Sequence, residues 1–372
     1  MYEILTLNKI SKYGLEKLDG AKYAYGDAVA APDAVMVRSA AMHDMTLDPK
    51  TVAVARCGAG TNNIPVDAFA EQGVVVFNTP GANANGVKEL VLCAMLLASR
   101  KIVPGIEWCK TLKGQGDGVG KAVEKGKSAF VGPEIKGKTL GVIGLGAIGR
   151  LVAESALALG MNVIGYDPFP VKGVAAEVQV VSDLAPVFAD SDYITLHAPS
   201  TPQTKGMICA ESIASMKDGV RILNFARGDL VNSDDILAAL ASGKVAAYAT
   251  DFPTDDQLGA EGVIAIPHLG ASTPESEDNC AIMAAEQLTA YIETGAIRNS
   301  VNYPAAPLGA DFTARTCVLH KAEAAAAVAD ALGDVVFAGE KKGFGYTVAD
   351  KAADADALAA MDGVVRVRVL TK

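Results

Sequence analysis

One segment constrains this chain more than any other: Lys138-Thr-Leu-Gly-Val-Ile-Gly144-Leu-Gly146-Ala147-Ile148-Gly149-Arg150, answered by Met161-Asn-Val-Ile-Gly-Tyr-Asp167. Thr139 to Ile143 is a short apolar run of strand character. Gly144, Gly146 and Gly149 allow a tight turn and a close approach of backbone to a phosphate, and Ile148, Leu151, Val152 and Ala156 supply a helix face that Gly160 ends. The helix N-terminus offers free N–H groups to a pyrophosphate, and Asp167 falls where a carboxylate accepts hydrogen bonds from ribose hydroxyls. Three spaced glycines mean little alone in a chain with 37 of them. Strand before, helix after and an acid closing the next strand make them a dinucleotide cradle. Asp167 favours NAD over NADP, because a 2′-phosphate would meet its charge and Pro168 and Phe169 follow it rather than an arginine.

Composition narrows the setting. At 372 residues the chain is too long for one ordinary core and calls for two or three domains. A net charge of −10 excludes nucleic acid and anionic membranes as general partners, so an anionic substrate needs a local basic pocket. Cys57, Cys93, Cys109, Cys209, Cys280 and Cys317 lie far apart with no C-x-x-C pair, which reads as reduced thiols and no metal site. The first residues carry no basic-then-apolar leader and no apolar run approaches a membrane span, so the expected compartment is the cytoplasm.

Strand-like runs (Glu3–Leu7, Ala34–Val37, Val52–Ala55, Val74–Phe77) alternate with helical stretches up to about residue 97, giving a first α/β unit without a glycine fingerprint. A long apolar helix from about Val87 to Lys101 leads, through a glycine- and lysine-rich stretch at 113–127, to the dinucleotide unit. We place a hinge near that helix. Further strands at Val163–Tyr166, Tyr193–Leu196, Val220–Asn224, Val245–Thr250 and Val263–Ala265 continue a doubly wound sheet. A helix around Glu275–Glu293 returns to the first unit. The tail reads β-α-β-β-α-β over Thr316–His320, Glu323–Ala331, Val335–Ala338, Phe344–Ala349, Ala355–Met361 and Val364–Leu370. Its alternation Val365-Arg366-Val367-Arg368-Val369 gives one buried and one charged face. The expected organisation is a Rossmann-type NAD-binding domain (98–277) inserted in a flavodoxin-like α/β substrate-binding domain (1–97 and 278–308), followed by a small βαββαβ domain (309–372).

Past the carboxyl ends of later strands come Asn224-Phe-Ala226-Arg227-Gly-Asp, Thr250-Asp251-Phe-Pro-Thr-Asp255-Asp256 and Ile266-Pro-His268-Leu-Gly270. Ligands of open α/β sheets bind at those ends, so an arginine, an acid and a histidine distant in sequence can converge there. Oxidation of a 2-hydroxy acid by hydride transfer needs a base for the hydroxyl proton, a cation for the carboxylate and a group that fixes the base's tautomer. Histidine suits the first role and the planar arginine fork the second. His43 reads as a surface histidine.

These segments, with Val37-Arg38-Ser39, Arg56-Cys57-Gly58-Ala59-Gly60-Thr-Asn-Asn, Asn78-Thr-Pro-Gly-Ala-Asn83 and Leu196-His197-Ala198-Pro199-Ser-Thr201, resemble the D-isomer-specific 2-hydroxyacid dehydrogenase family over essentially the whole length. The resemblance implies NAD as cofactor and a small anionic substrate. Its nearest fit is oxidation of 3-phospho-D-glycerate to 3-phosphohydroxypyruvate, the first step of serine biosynthesis, by a homodimer or higher homo-oligomer. It implies His268 as acid/base, Arg227 at the substrate carboxylate and an acidic partner for His268, assigned to Asp255 with Asp256 as the alternative. The family has Glu there, so Asp255 gives up a methylene of reach. The implied cofactor residues are Gly144, Gly146, Ala147, Ile148, Gly149, Asp167, His197, Ala198, Pro199, Thr201, Asn224, Ala226, Asp251 and Gly270, with Asp251 at the nicotinamide amide. The implied substrate residues are Arg38, Ser39, Arg56, the Gly58-Ala59-Gly60 backbone and Lys127, with Arg38, Arg56 and Lys127 at the phosphate.

The tail resembles an ACT regulatory domain of the kind that binds serine. It keeps His320, but Lys321-Ala-Glu-Ala-Ala325 replaces the usual Pro-Gly turn. Two other readings stay open: a reductase of glyoxylate, hydroxypyruvate or another 2-keto acid, and a non-catalytic NAD-sensing protein on the same fold.

Overall fold

The computed structural model describes residues 1–372, and the chain divides into two compact units, Met1–Asn83 with Pro274–Lys372, and Ala84–Thr273. In the first, β1 (Tyr2–Leu7), α1 (Lys12–Leu15), β2 (Tyr23–Gly26), β3 (Ala34–Val37), β4 (Ala53–Arg56), α2 (Val66–Glu71) and β5 (Val75–Phe77) build a parallel sheet of order β2-β1-β3-β4-β5, the flavodoxin-like arrangement. Strands β3 and β5 are buried at every residue, as continuous apolar runs covered on both faces must be. The sequence reading lacks β2. It is an edge strand, and only Tyr23 of its four residues is buried, so no apolar pattern marks it. Beyond β1, Asn8 adopts a left-handed backbone (φ 72°), and its side-chain oxygen accepts the N–H groups of Ser39 and Ala40 at 2.9 and 2.7 Å. That pair of bonds ties together the carboxyl ends of β1 and β3, the neighbours at the point where the strand order reverses.

The second unit opens with α3 (Ala84–Ser99), α4 (Ile102–Thr111) and α5 (Val119–Gly126). It continues through β6 (Thr139–Ile143), α6 (Ala147–Ala158), β7 (Asn162–Tyr166), β8 (Gln179–Val181), α7 (Ala185–Asp190), β9 (Tyr193–Leu196), α8 (Ala210–Ala214), β10 (Val220–Asn224), α9 (Ser233–Ala241), β11 (Val245–Thr250) and β12 (Val263–Ala265). All seven strands are parallel in the order β12-β11-β10-β9-β6-β7-β8, a Rossmann sheet with one extra edge strand. The unit begins at Ala84, whereas the sequence reading carries the first domain through residue 97. The reason is packing: Val87, Val91, Ala94 and Met95 of α3 share a buried cluster with Leu140, Val142, Val152 and Tyr193, and the Ser99 hydroxyl lies 2.7 Å from that of Tyr193.

The first unit resumes at Pro274 with α10 (Pro274–Thr294), whose Cys280, Ala281, Ala284, Ala285 and Leu288 join the sheet's core. Small residues let α1 approach closely, since a Cβ on Gly14 would come within 2.5 Å of Ala281. Then β13 (Ala314–Lys321), α11 (Ala325–Leu332), β14 (Phe337–Lys341), β15 (Phe344–Ala349), α12 (Ala355–Ala359) and β16 (Val364–Thr371) form an antiparallel sheet of order β14-β15-β13-β16. This module does not stand apart as the boundary at residue 309 anticipates. The face of β16 that sequence marks as charged is turned onto the unit: Arg366 donates to the carbonyls of Pro49 and Gln72 (3.1 and 3.0 Å). Arg368 donates to those of Tyr291 and Ile292 (3.2 and 2.9 Å) in the last turn of α10, where the Tyr291 carbonyl also accepts the Gly295 N–H. Lys321 pairs with Glu71, and Cys317, Leu319, Tyr346 and Val348 enter the main core. No helix is long and apolar enough to cross a membrane.

Candidate functional site

The glycine turn of the second unit follows β6, and space forces its composition. Gly144 has φ 94°, and a Cβ there would lie 2.6 Å from the carbonyl oxygen of His197, while one on Gly149 would lie 1.9 Å from that of Gly144. At Gly146 a Cβ would meet no atom within 4 Å. There α6 starts without a side-chain cap, so its first N–H groups look into open space, a cradle that fits a pyrophosphate. Ala147 and Ile148 form the first turn. Asp167, just past β7, accepts the Leu145 N–H on Oδ2 (2.8 Å) and the Phe169 N–H on Oδ1 (3.0 Å), which fixes its carboxylate while leaving lone pairs for ribose hydroxyls. A cavity of about 430 Å³ opens beside it. Arg150 and Lys172 line that cavity with Asp167, and the sequence reading missed both. A signal existed for the first: Arg150 sits one helical turn after Gly146 and therefore shares the cradle's face.

Across the switch point, the loop after β9 carries His197, Ala198, Pro199 and Thr201. The Thr204 hydroxyl donates to the Pro199 carbonyl (2.6 Å), and Ser200 donates to Asp229 (2.7 Å), which joins this loop to the one after β10. In that next loop the Asn224 side chain accepts the Ala226 N–H (3.2 Å) and donates to the Arg227 carbonyl (2.9 Å), so the backbone presenting Arg227 is set from beneath. The Arg227 side chain is exposed, with the Ala226 carbonyl as its hydrogen-bond partner. Gly270 packs on α3, where a Cβ would meet Val87 at 2.9 Å.

His268 follows β12. Its Nδ1 lies 2.8 Å from Oδ2 of Asp251 and its ring packs on Phe252, with centroids 4.6 Å apart. This corrects the assignment of Asp255 and Asp256 as its acidic partner, while Oδ1 of Asp251 is buried without a hydrogen-bond partner. Asp251 is the buried carboxylate just past β11, at 2% side-chain exposure. Asp255 and Asp256 lie beyond it on an exposed turn, where Asp256 accepts hydrogen bonds from Ser233 and Thr254. Those bonds hold the Asp256 carboxyl below its ordinary range. The bond to Asp251 makes Nδ1 the protonated nitrogen and leaves Nε2 as the free one.

The first unit holds the remaining residues. Arg38, at the end of β3, pairs with Glu277 at 2.5 Å. Arg56 ends β4, its Nε buried without a hydrogen-bond partner, and its Nη1 lies against Gly58, where a Cβ would come within 1.4 Å. Burial, and Arg38 nearby, lower its pKa. The Gly58-Ala59-Gly60 turn is pinned by Asn78, which donates to the Ala59 carbonyl (2.6 Å), and by the Thr79 N–H on the Gly58 carbonyl (3.1 Å). Lys127, in the second unit, has its charge answered by Glu124 at 2.5 Å and lines a separate cavity of about 690 Å³ with Arg100, Trp108 and Phe130. His320 of the tail is fully buried: Nδ1 donates to the Lys321 carbonyl (2.7 Å) and Nε2 accepts from Thr347 (2.9 Å), so neither ring nitrogen is left for an effector.

The Gly144–Gly149 turn, Asp167 and the His268–Asp251 pair all lie past the carboxyl ends of one parallel sheet, where open α/β sheets bind their ligands. Residues 92–270 match the sequence model of the D-isomer specific 2-hydroxyacid dehydrogenase NAD binding domain. The chain belongs to the D-isomer-specific 2-hydroxyacid dehydrogenases. It is 40% identical to the D-3-phosphoglycerate dehydrogenase of Methanocaldococcus jannaschii over 266 residues, 69% of this chain and 49% of that protein. To the D-3-phosphoglycerate dehydrogenase of Bacillus subtilis it is 34% identical over 324 residues, 82% of this chain and 60% of that one. The chain thus spans about half the length of the curated relatives it matches. The crystal structure of NAD+-bound 3-phosphoglycerate dehydrogenase from Entamoeba histolytica superposes with a TM-score of 0.62 at 26% identity, covering 81% of this chain and 98% of that one.

His197 supplies a test of the cradle's interior. Burial pushes its imidazole from 6.5 down to about 4, with Nδ1 unpartnered and Nε2 3.0 Å from the Thr195 hydroxyl. It is therefore neutral at pH 7. The unfolded chain takes up a proton near 6.5 that the folded chain refuses until about 4, so stability is lost as pH falls through that window, by up to roughly 3 kcal/mol at its foot. Urea unfolding of His197→Asn should show a flatter stability profile between pH 6.5 and 4 than the parent; equal slopes would mean that His197 titrates normally.

Proposed function

We propose that the chain is an NAD-dependent dehydrogenase that oxidises 3-phospho-D-glycerate to 3-phosphohydroxypyruvate. The observation that carries the substrate is Arg56, a partly buried guanidinium with an unpaired Nε beside Arg38 and the Gly58–Gly60 turn. A buried cation without a counter-ion is costly, and an anionic group on the substrate offsets that cost. His268 Nε2 takes the C2 hydroxyl proton, Asp251 stabilises the imidazolium that results, and Arg227 holds the carboxylate. NAD held in the cradle would supply the hydride acceptor for C2. The cradle from Gly144 to Gly149 takes its pyrophosphate and Asp167 its adenosine ribose. The relatives named D-3-phosphoglycerate dehydrogenase support the same reading.

The proposal includes assembly of identical chains. Helices α4 and α5 contain no buried residue, yet Ile102, Val103 and Ile106 are about half exposed and Val131 is 72% exposed. Such an apolar surface is what a second copy would cover. Light scattering should find a dimer or larger species for the parent and a smaller one for Ile106→Asp; a monomeric parent would refute this part.

His268→Ala should lower turnover by roughly 100- to 10,000-fold with NAD still bound, as loss of general acid–base help implies. Asp251→Asn should lower turnover at least about tenfold, since the imidazolium that forms loses its carboxylate. Asp255→Asn should leave turnover nearly unchanged. A larger effect at Asp255 than at Asp251 would return the pairing to the exposed turn.

For the substrate, Arg56→Ala should reduce kcat/KM for 3-phosphoglycerate by about 10- to 150-fold, the worth of one charge-assisted hydrogen bond, and leave D-glycerate nearly untouched. Lysine at this position should recover part of the loss. Equal harm to both substrates would show that Arg56 serves the carboxylate or the fold.

A further inference from the structure

The ribose cavity of the second unit holds more positive charge than an NAD site needs. Asp167 is its single carboxylate, held by two backbone N–H groups and paired with no cation. Arg150 and Lys172 line the same cavity, and neither takes part in an ion pair or a side-chain hydrogen bond. Arg150 is on the first turn of α6 and reaches toward the loop that follows Asp167: its Nη1 lies 3.1 Å from where a Cβ on Gly173 would stand. Lys172 comes from that loop itself. Two exposed cations without an ion-pair partner therefore line the same cavity as the Asp167 carboxylate, Arg150 from α6 and Lys172 from the loop after β7.

We propose that Arg150 and Lys172 form a latent binding pair for the 2′-phosphate of NADP, so that the charge of Asp167 alone keeps this chain selective for NAD. The inference rests on the NAD site proposed above. An anion at the ribose 2′-position gains from two nearby cations and loses to one fixed carboxylate, and the carboxylate prevails because it lies at the hydroxyls themselves. Removing the negative charge while keeping an acceptor for the Leu145 N–H leaves a pocket whose remaining charges are both positive. Arginine then supplies a fork to the phosphate, and lysine a point charge.

The test measures equilibrium binding of NADH and NADPH to the full chain by fluorescence titration, with thermal melts to confirm that each variant is folded. The parent should bind NADH and prefer it to NADPH by about 100-fold or more. In Asp167→Asn the preference should fall to within about tenfold, and NADPH binding should weaken steeply with salt. Adding Arg150→Gln to Asp167→Asn should weaken NADPH by about 10- to 150-fold, the range of a charge-assisted hydrogen bond, with NADH changed less than about threefold. Adding Lys172→Gln should do the same to a smaller degree. Two results would overturn the proposal: Asp167→Asn that binds NADH but still rejects NADPH, or Arg150→Gln that weakens both cofactors equally and so marks Arg150 as a pyrophosphate ligand. A folded parent that binds neither nucleotide would instead remove the NAD site on which the proposal stands.

Discussion

The second unit is organised by the absence of side chains at Gly144 and Gly149. A Cβ at either would run into a carbonyl oxygen, that of His197 or that of Gly144. The first of these contacts is between the end of β6 and the start of the loop after β9, the two strands at which the sheet order reverses. Because the backbones approach this closely, α6 can begin directly over the switch point with its N–H groups open, and the loops after β9 and β10 can bond to each other through Ser200 and Asp229. Larger residues would push α6 off the sheet, and the cradle would lose both its shape and its field.

The same economy of space settles which carboxylate meets His268. The end of a buried strand is a rigid platform, whereas an exposed turn is not. Asp251 directly follows β11 and is almost wholly buried, so its position is held by the strand it follows. The later acids belong to a turn whose own hydrogen bonds hold it: Asp256 is committed to Ser233 and Thr254. With Asp256 held in its own turn, the buried acid just after β11 is the partner within reach.

The C-terminal module illustrates how burial can invert the apparent meaning of a pattern. Alternating valine and arginine along β16 reads as one dry and one wet face. Arg366 and Arg368 instead spend their guanidinium groups on backbone carbonyls, two of them in the last turn of α10, while Val367 packs with Val328, Leu332 and Leu358 of α11 and α12. Cations at a helix C-terminus are favourable, and their aliphatic stems tolerate burial. His320 is likewise consumed by the sheet. The module is bound to the first unit by the residues that sequence assigns to solvent and ligand.

What the sequence by itself determined follows from local rules. Period and run length mark the buried central strands, glycine spacing and Asp167 mark the nucleotide cradle, and placement past strand ends marks Arg227 and His268 as a set. The edge strands β2 and β8 escaped because an edge needs no continuous apolar run. Tertiary structure alone decided the pairings between residues far apart in the chain. Asp251 rather than Asp255 meets His268, Glu277 neutralises Arg38 while Arg56 stays unpaired, Arg150 and Lys172 gather around Asp167, and α3 joins the second unit. Each of these depends on where a side chain of fixed length can reach once the backbone is packed, and a charge carries no mark in sequence of the partner that packing will bring to it.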